Sequence, residues 1–427
     1  MLRSRLLTAA ASCVALALPS SVSPTSANDL CSITPYSYTR AKLDHPELTT
    51  AIKTLENYAI ASWFTDRQTT QERSELMSGL LSQCSEDTRL SIVVYGIPNK
   101  DCAAGLSSGG SVKSTSSYQA FLKELTDAVG DRKVLYVVEP DALGLLTQDG
   151  SCGATAGYLE SLKVAVAALS ANSNAELYVD VGYWMLANAD SASKVAAVMK
   201  DIGGSGRVKG AAINTSNYRF TDECATYCTN FQTAMGSTDM TCIVDTSRNY
   251  NGSPTSDWCN VRTAGIGKPP SSKTGVSNLD YFMWIKPPGE SDGECVTGGT
   301  PAGSIYLEGF QLLWDQGYFV SEQGMLKIDD SFSSATQAPT SSSKSRDASD
   351  QTTFTQTVAP ISGNSSWDQN DTMDTISPAD PISTEDVVST PFATTVPATT
   401  TASTESPMQQ LNTTQTRSGC KAKKYLR

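Results

Sequence analysis

The stretch KVLYVVEPDALGLL, residues 133–146, joins an apolar run to two acids and a proline. Apolar runs without polar alternation are typical of strands that are buried on both faces of a parallel sheet. Glu139 and Asp141 follow this run at the point where a strand would reach the rim of the sheet, and Pro140 would help to end it. Strand alternation predicts that both acids point to the same side, where burial would raise their pKa values.

Six further apolar runs, rich in β-branched residues, are spread along the chain. They are AIASWF (59–64), SIVVYGI (91–97), ELYVDVG (176–182), VKGAAIN (208–214), TCIVDT (241–246) and YFMWIK (281–286). Helical spacing of apolar residues lies between them, for example over residues 117–130 and 155–169. This alternation predicts an α/β fold, and seven strands at such intervals favour a distorted seven-stranded parallel β/α barrel. No GxGxxG motif or P-loop is present, which argues against nucleotide binding.

Composition limits the classes of function. The chain has 427 residues and a formal net charge of -12, which disfavours binding of nucleic acid or of an anionic membrane. The single histidine, His45, precedes the first predicted strand, so a histidine-rich metal site is excluded. If the protein is an enzyme, proton transfer would depend on Asp and Glu.

The chain begins with a segment that reads as a signal peptide, residues 1–27. Arg3 and Arg5 precede an apolar run that is too short to cross a bilayer as a helix. We therefore predict a secreted protein without a membrane partner, with a membrane-bound signal anchor as the alternative reading of this segment. We also expect the protein to be a monomer. Residues 28–330 have the composition of one globular domain, and the eleven cysteines of a secreted chain predict several disulfides.

The composition changes after residue 330. From residue 331 to residue 410, 32 of 80 residues are Ser or Thr. Such a segment cannot bury enough apolar surface to offset its ordering entropy. Residues 331–427 are therefore predicted to form a disordered, glycosylated tail, and the sequence does not indicate its role. The sequons at Asn364, Asn370 and Asn412 agree with an exposed location.

Acids and aromatic residues follow the predicted strands, at the ends that form the functional face of a barrel. They are Asp101, Glu139, Asp141, Asp180, Asp245, Glu290 and Asp292, with Trp63, Tyr95, Tyr183, Trp184, Trp258 and Trp284. A single strand-end Asp is more often a helix cap or a turn former, but a converging group favours acid–base catalysis. Calcium binding is an alternative, although no DxDxDG-type loop is present. Core packing is the expected role of Trp284.

Six motifs resemble, in the right order, glycoside hydrolase family 6, whose members are β-1,4-glucanases. They are VVYGIPNKDCAAGLSSGG (93–110), VVEPDALGLL (137–146), AAINTSNYR (211–219), IVDTSRNYNG (243–252), DWCNVRTAGIGKPP (257–270) and WIKPPGESDG (284–293). The resemblance covers roughly residues 55 to 320. It implies a β/α barrel that hydrolyses β-1,4-glucan with inversion, without a metal or a cofactor.

The same resemblance implies roles for individual residues. Asp141 matches the general acid, and Asp101 matches the acid that raises the pKa of the general acid. Tyr95 matches the tyrosine that favours the distorted sugar ring. Asp292 matches a proposed base, although the water in this family can also be reached through a relay, so the base is left open. Lys286, Glu290, Asn217 and Trp258 match substrate-binding positions, and Asp180 matches another active-site aspartate, which we also predict to bind substrate. The aromatic residues Trp63 and Trp184 are predicted substrate contacts because of their places at the strand ends. Glu139 is expected to be structural.

The resemblance also implies disulfides. Cys102–Cys152 and Cys259–Cys295 match the two bridges of the family, and Cys31–Cys84 is our guess for a third. The pairing of the remaining cysteines, which are Cys224, Cys228, Cys242 and Cys420, is left open.

Two departures from the family bear on the mode of action. Tyr183 and Trp184 stand where the family has a His and then a Trp, which puts the sugar contacts there in doubt. Only Gly293 and Glu294 separate Asp292 from Cys295, whereas cellobiohydrolases have a long loop that roofs a tunnel. We therefore predict a secreted endo-β-1,4-glucanase. The alternatives are a cellobiohydrolase that releases cellobiose from chain ends and a non-catalytic glucan-binding cell-wall protein, and the preferred glucan is left open.

Overall fold

A parallel sheet forms the centre of the computed structural model, which describes residues 29–253 and 257–329. Its strands are β1 (Leu30–Cys31), β2 (Ser62–Thr65), β3 (Arg89–Tyr95), β4 (Val134–Val138), β5 (Ala175–Asp180), β6 (Gly210–Ile213), β7 (Thr241–Asp245) and β8 (Leu279–Met283). From β3 to β8 each strand pairs with the next one in the chain. The short β1 pairs with the first residues of β3, and β2 pairs with the last ones.

The sheet curls until its two edges meet. Beyond the strands themselves, a parallel bridge joins Ile60 to Trp284, and the Ala61 amide donates to the Trp284 carbonyl at 2.9 Å. Seven strands, β2 to β8, thus form the predicted distorted barrel, which confirms the fold class. The two-residue β1 was not predicted, because two residues carry no readable periodicity.

Helices cover the outside of the sheet. They are α1 (Tyr36–Asp44), α2 (Thr49–Leu55), α3 (Thr70–Gln83), α4 (Thr115–Val129), α5 (Ala142–Thr147), α6 (Tyr158–Leu169), α7 (Ala189–Gly203), α8 (Thr221–Met235), α9 (Leu307–Asp315) and α10 (Tyr318–Ser321). Capping residues in the sequence define where some of these helices begin. Before α3, the Thr69 amide donates to Glu72 at 2.7 Å, and the Glu72 amide donates to the Thr69 hydroxyl at 3.2 Å. These two bonds form a capping box. The stretches with helical spacing correspond to α4 and α6.

Alternation along β4 separates two layers of the core. Leu135 and Val137 point into the barrel, among buried residues of neighbouring strands. Val134, Tyr136 and Val138 point outward and pack under the helices. Burial on both faces explains why this strand reads as a continuous apolar run.

Two predicted segments fall outside the described residues: the signal peptide, 1–27, and the tail, 331–427. Within residues 29–253 and 257–329, none of the helices combines the length and the apolar character that crossing a bilayer would require.

Candidate active site

A cleft of about 1500 Å³ lies at the carboxyl ends of the strands. The predicted site residues that line it are Trp63, Tyr95, Asp101, Asp141, Trp184, Asn217, Trp258, Lys286, Glu290 and Asp292. The residues that follow parallel strands all lie at one rim of the sheet, which explains why positions more than 200 residues apart in the chain, Trp63 and Asp292, meet here. Of the predicted strand-end acids, Glu139, Asp180 and Asp245 do not line the cleft, and each is at most 1% exposed.

Asp141 stands between β4 and α5 in a left-handed backbone conformation, with φ 66°. This conformation is uncommon for a residue with a side chain. The Asp141 amide donates to Asp180 Oδ1 at 2.9 Å, which holds the turn in place. Burial raises the pKa of Asp141 well above its ordinary value, and the charges of Asp180, Asp101 and Asp292 raise it further. The side chain is therefore suited to hold a proton.

Asp180, the last residue of β5, lies beneath the cleft and contacts the backbone of Asp141. Its Oδ1 also accepts from the Gly182 amide at 3.2 Å. Burial raises the pKa of Asp180 to about 6, although these hydrogen bonds oppose the rise. Since the carboxyl group contacts the Asp141 backbone and influences the Asp141 pKa, its position supports an indirect role rather than the predicted contact with substrate.

Asp101 follows β3 and is held by the loop in which it lies. Its Oδ2 accepts from the Ser107 amide at 2.6 Å and from the Ser107 hydroxyl at 2.9 Å. The Ser107 hydroxyl also lies 2.9 Å from the Tyr95 hydroxyl. Ser107, which we did not predict, therefore joins the two predicted residues and fixes their relative positions.

A buried ion pair anchors the same loop. Lys100 Nζ lies 2.6 Å from Asp66 Oδ1, and both side chains are 2% exposed. Lys100 also donates to the Gly109 carbonyl, and Asp66 Oδ2 accepts from the Val112 amide at 2.9 Å. Both ends of the segment that carries Asp101 are thus tied to Asp66 beneath the cleft.

Asp292 lies on the opposite side of the site among cationic groups. Its Oδ2 accepts from Arg248 Nη1 at 2.8 Å and from the Asn260 amide at 2.9 Å. Lys286 Nζ is 3.6 Å from Oδ1. Burial by itself would raise the pKa of Asp292, but Arg248 and Lys286 outweigh burial and lower it. The surroundings of Asp292 therefore favour its ionised form, whereas those of Asp141 favour its protonated form.

Glu139 points away from the cleft. Its carboxylate accepts from the Gly96 and Ile97 amides at 3.0–3.1 Å and from the Tyr118 hydroxyl of α4 at 2.6 Å. Burial raises its pKa to about 7, although these hydrogen bonds oppose the rise. The expected structural position is observed, but the prediction that both acids point to the same side is wrong. Glu139 has φ 49°, so strand alternation ends before it.

Aromatic side chains form the walls of the cleft. Trp63 Nε1 donates to the Ile285 carbonyl at 2.7 Å, and its ring meets Tyr95 edge-on with centroids 5.5 Å apart. Trp258 is 47% exposed. Trp184 Nε1 donates to Gln148 at 2.9 Å. Trp284 is fully buried in the core, as expected.

Tyr183 and Glu290 also have defined partners at the cleft. Tyr183 lies under the Arg219 guanidinium, 5.2 Å from the ring centroid. Glu290 Oε1 accepts from the Ser37 hydroxyl at 2.7 Å. Burial raises the pKa of Glu290, and Lys286 opposes the rise. Lys286 Nζ itself donates to the Ser291 carbonyl at 2.8 Å.

Disulfides fasten the loops that carry the acids. Cys102–Cys152 and Cys259–Cys295 are both present, next to Asp101 and close to Asp292. The pairs Cys31–Cys84 and Cys228–Cys242 are also formed, and among the described residues Cys224 is left buried and unpaired.

Arg248 is the main functional candidate that sequence reasoning missed. It lies within the motif IVDTSRNYNG, its side chain is 2% exposed, and its guanidinium stands over the Tyr218 ring at 4.4 Å. A buried arginine requires a buried acid. An arginine within a motif next to buried strands could therefore have been predicted to pair with an acid, but the sequence does not identify Asp292 as that acid.

Comparison with known proteins agrees with this geometry. The family model "Glycosyl hydrolases family 6" matches residues 26–309. Endoglucanase A of Thermobispora bispora is 33% identical over 243 residues, which cover 56% of this chain and 51% of that protein. The 1,4-beta-D-glucan cellobiohydrolase C of Emericella nidulans is 33% identical over 271 residues, 53% of this chain and 59% of the relative. This chain therefore spans about half the length of the first of these relatives.

A solved structure gives the same result for the fold. The CcCel6A catalytic domain complexed with p-nitrophenyl beta-D-cellotrioside has a TM-score of 0.59 and 26% identity, over 68% of this chain and 96% of that one. The family model itself covers well over half of the chain. The chain belongs to glycosyl hydrolases family 6.

Proposed function

We propose that this protein is an inverting endo-β-1,4-glucanase that hydrolyses cellulose or a related β-glucan. The observation that carries the proposal is that one cleft holds two carboxyl groups in opposite surroundings, Asp141 next to Asp180 and Asp292 in an ion pair with Arg248. Asp141 has a raised pKa and Asp292 a lowered one. Inverting hydrolysis requires one carboxylic acid and one carboxylate, with room for a water molecule between them.

In the proposed reaction Asp141 gives its proton to the glycosidic oxygen as the bond from that oxygen to the anomeric carbon breaks. A water molecule attacks the anomeric carbon from the opposite face, which inverts its configuration. The proton released by this water passes to Asp292, either directly or through a second water. Asp292 is an ionised acceptor, but its lowered pKa makes it a weak base, so a relay is compatible with this arrangement. To complete the cycle, Asp292 releases its proton to solvent and Asp141 regains one from solvent.

The walls of the cleft support a glucan as substrate. Trp63 and Trp258 offer flat apolar faces, which suit the faces of sugar rings, while Lys286 and Glu290 offer a donor and an acceptor for hydroxyl groups. One relative is named a 1,4-beta-D-glucan cellobiohydrolase, another is named an endoglucanase, and the solved relative is complexed with p-nitrophenyl beta-D-cellotrioside.

Two features favour internal cleavage over release of cellobiose from chain ends. Trp258 remains 47% exposed, so the described residues leave this wall of the cleft open. The loop that follows Asp292 is short, because the Cys259–Cys295 bridge fixes it two residues after Gly293. The similarity to a cellobiohydrolase keeps exo action as the second candidate. We also propose that the protein is secreted, because the described residues form four disulfides and disulfides persist in oxidising compartments.

The test combines three measurements on purified protein with carboxymethylcellulose and a soluble cello-oligosaccharide. An inverting endoglucanase lowers viscosity early relative to the reducing ends released, and NMR detects the α-anomer first. Asp141→Asn protein, purified in parallel, controls for contaminating enzymes. Release of reducing ends without early viscosity loss would support the cellobiohydrolase. Cellulose binding without any hydrolysis would support a non-catalytic binding protein. Because the proposed chemistry uses carboxyl groups alone, activity should persist in a chelator.

A further inference from the structure

The cleft extends beyond Trp63 and Glu290 into a surface that the site described above does not use. Residues before and within α1 and residues at the start of α3 both contribute to this surface. This surface, called the α1 bay below, is lined by Pro35, Tyr36, Arg40, Gln68, Glu72 and Glu75. It is continuous with the central cleft, because the same cavity includes Trp63 and Glu290.

Hydrogen bonds fix the start of α1 against the loop that carries Glu290. Ser37 donates to Glu290 Oε1 at 2.7 Å, and the buried Tyr38 hydroxyl donates to the Pro288 carbonyl at 2.8 Å. Both bonds join positions about 250 residues apart in sequence. The α1 bay therefore has a defined position relative to the substrate-binding residues of the central cleft.

Tyr36 is the distinctive residue of the α1 bay. Its side chain is 85% exposed, the highest value among the exposed large hydrophobic residues of the described chain. One exposed aromatic residue needs no explanation by itself. Tyr36, however, lines the same cavity as Trp63 and Trp258, and it directly precedes the residue that holds Glu290. Tyrosine combines an apolar face with a polar tip, which suits binding at a surface that is partly wet.

Arg40 lies one helical turn after Tyr36, on the same face of α1. Its Nε donates to Asp44 at 2.6 Å. A guanidinium carries five N–H donors, so this bond leaves Arg40 with donors for another acceptor. A flat aromatic face beside a hydrogen-bond donor is the chemistry that binds a glucosyl unit with its hydroxyl groups.

We infer that the α1 bay binds glucosyl units of a long β-glucan chain beyond those held in the central cleft, with a sugar face against Tyr36. The inference rests on the proposed function and extends it. A chain that occupies both the central cleft and the α1 bay continues past Trp63 instead of ending there. The α1 bay thus favours attack within long chains.

The experiment measures kcat/KM on cello-oligosaccharides of increasing length, from the trisaccharide to the hexasaccharide, for wild type and Tyr36→Ala. Loss of one stacking contact should lower kcat/KM about three- to tenfold, only for oligosaccharides long enough to reach the α1 bay. Tyr36→Trp keeps an aromatic face and should retain activity. Leu43→Ala is the matched control, because Leu43 is 73% exposed on the same helix and does not line the cavity.

The outcomes separate this inference from the proposed function. Wild-type hydrolysis with an equal effect of Tyr36→Ala at every length, or with no effect at any length, overturns the inference and leaves the function intact. Failure of wild type to cleave any of the oligosaccharides overturns the function. Calorimetric titration with the trisaccharide and the hexasaccharide then decides on the α1 bay, because Tyr36→Ala must weaken binding of the longer ligand only.

Discussion

The two sides of the cleft contain the same chemical group in surroundings of opposite charge. On one side Asp141 lies near Asp180 and Asp101, and its pKa is raised. On the other side Asp292 lies against Arg248 and Lys286, and its pKa is lowered. Burial raises the pKa of both carboxyl groups, so burial does not explain the difference. The charge of the neighbouring side chains decides which carboxyl group keeps a proton.

The largest expected effect comes from removing the proton donor itself. Asp141→Asn keeps the shape of the side chain but cannot give up a proton, so kcat on cellulose should fall about 10²–10⁴-fold. Aryl cello-oligosaccharides with good leaving groups should lose much less. Asp149→Asn is the control, since its side chain is 87% exposed on the segment after α5. An unchanged rate on cellulose would remove Asp141 from this role.

The second prediction breaks the cationic side. Arg248→Met leaves Asp292 buried without its main partner, which should lower the free energy of unfolding by about 3–5 kcal/mol. Arg262→Met is the matched control, because the Arg262–Glu308 pair is more than half exposed and its loss should change little. Thermal and denaturant unfolding measure both variants. Equal effects of the two variants would contradict the assignment.

The pH dependence of this effect has a defined sign. The folded-state pKa of Asp292 is lowered, so its contribution to stability is complete above the ordinary Asp pKa of about 3.9 and is lost as the pH falls through the lowered pKa. The difference in stability between wild type and Arg248→Met should therefore narrow in strong acid. Arg248→Lys keeps the charge and provides a second variant if Arg248→Met does not fold.

The third prediction changes the acidic side. Asp180→Asn removes the charge that, after burial, contributes most to the raised pKa of Asp141. The Asp141 pKa should fall, and the basic limb of the pH–kcat profile should move to lower pH with it. Asp101→Asn should move this limb less, since the charge of Asp101 contributes less. A shift to higher pH in either variant would be the wrong sign.

The smallest expected effect concerns Ser107, which joins Asp101 to Tyr95. Ser107→Ala removes one hydroxyl contact to each but keeps the backbone donor to Asp101. A single such hydrogen bond contributes about 0.5–1.5 kcal/mol, so kcat should fall only a few-fold. The exposed Ser108→Ala is the neighbouring control. A loss as large as that of Asp141→Asn would show that Ser107 takes part in proton transfer.

Much of the acidic side could be predicted from the sequence. Asp101, Asp141 and Asp180 each follow or end an apolar run, and their spacing matches the strand–helix unit that places them on one rim. Local pattern carries this information, because the strand period and the barrel topology are both readable along the chain.

The cationic side and the backbone turns could not be predicted in the same way. Arg248 meets Asp292 across 44 positions, and no local periodicity encodes such a pair. Glu139 turns toward α4 because its φ is positive, whereas alternation rules assume extended backbone. The buried position of Asp180 could not be predicted either. A position at the end of a strand places a residue at the rim of the barrel, but it does not show whether the side chain reaches the surface of the cleft.

The most direct test of the central claim is the titration of the two carboxyl groups by ¹³C NMR on protein labelled at aspartate Cγ. The resonances are assigned by their absence from the spectra of Asp141→Asn and Asp292→Asn. We predict that the Asp141 resonance titrates well above the ordinary Asp pKa of about 3.9, and that the Asp292 resonance titrates below it. An Asp141 resonance that titrates at or below the ordinary value, or an Asp292 resonance that titrates above that of Asp141, would contradict the division of the cleft into a proton-holding and an ionised side.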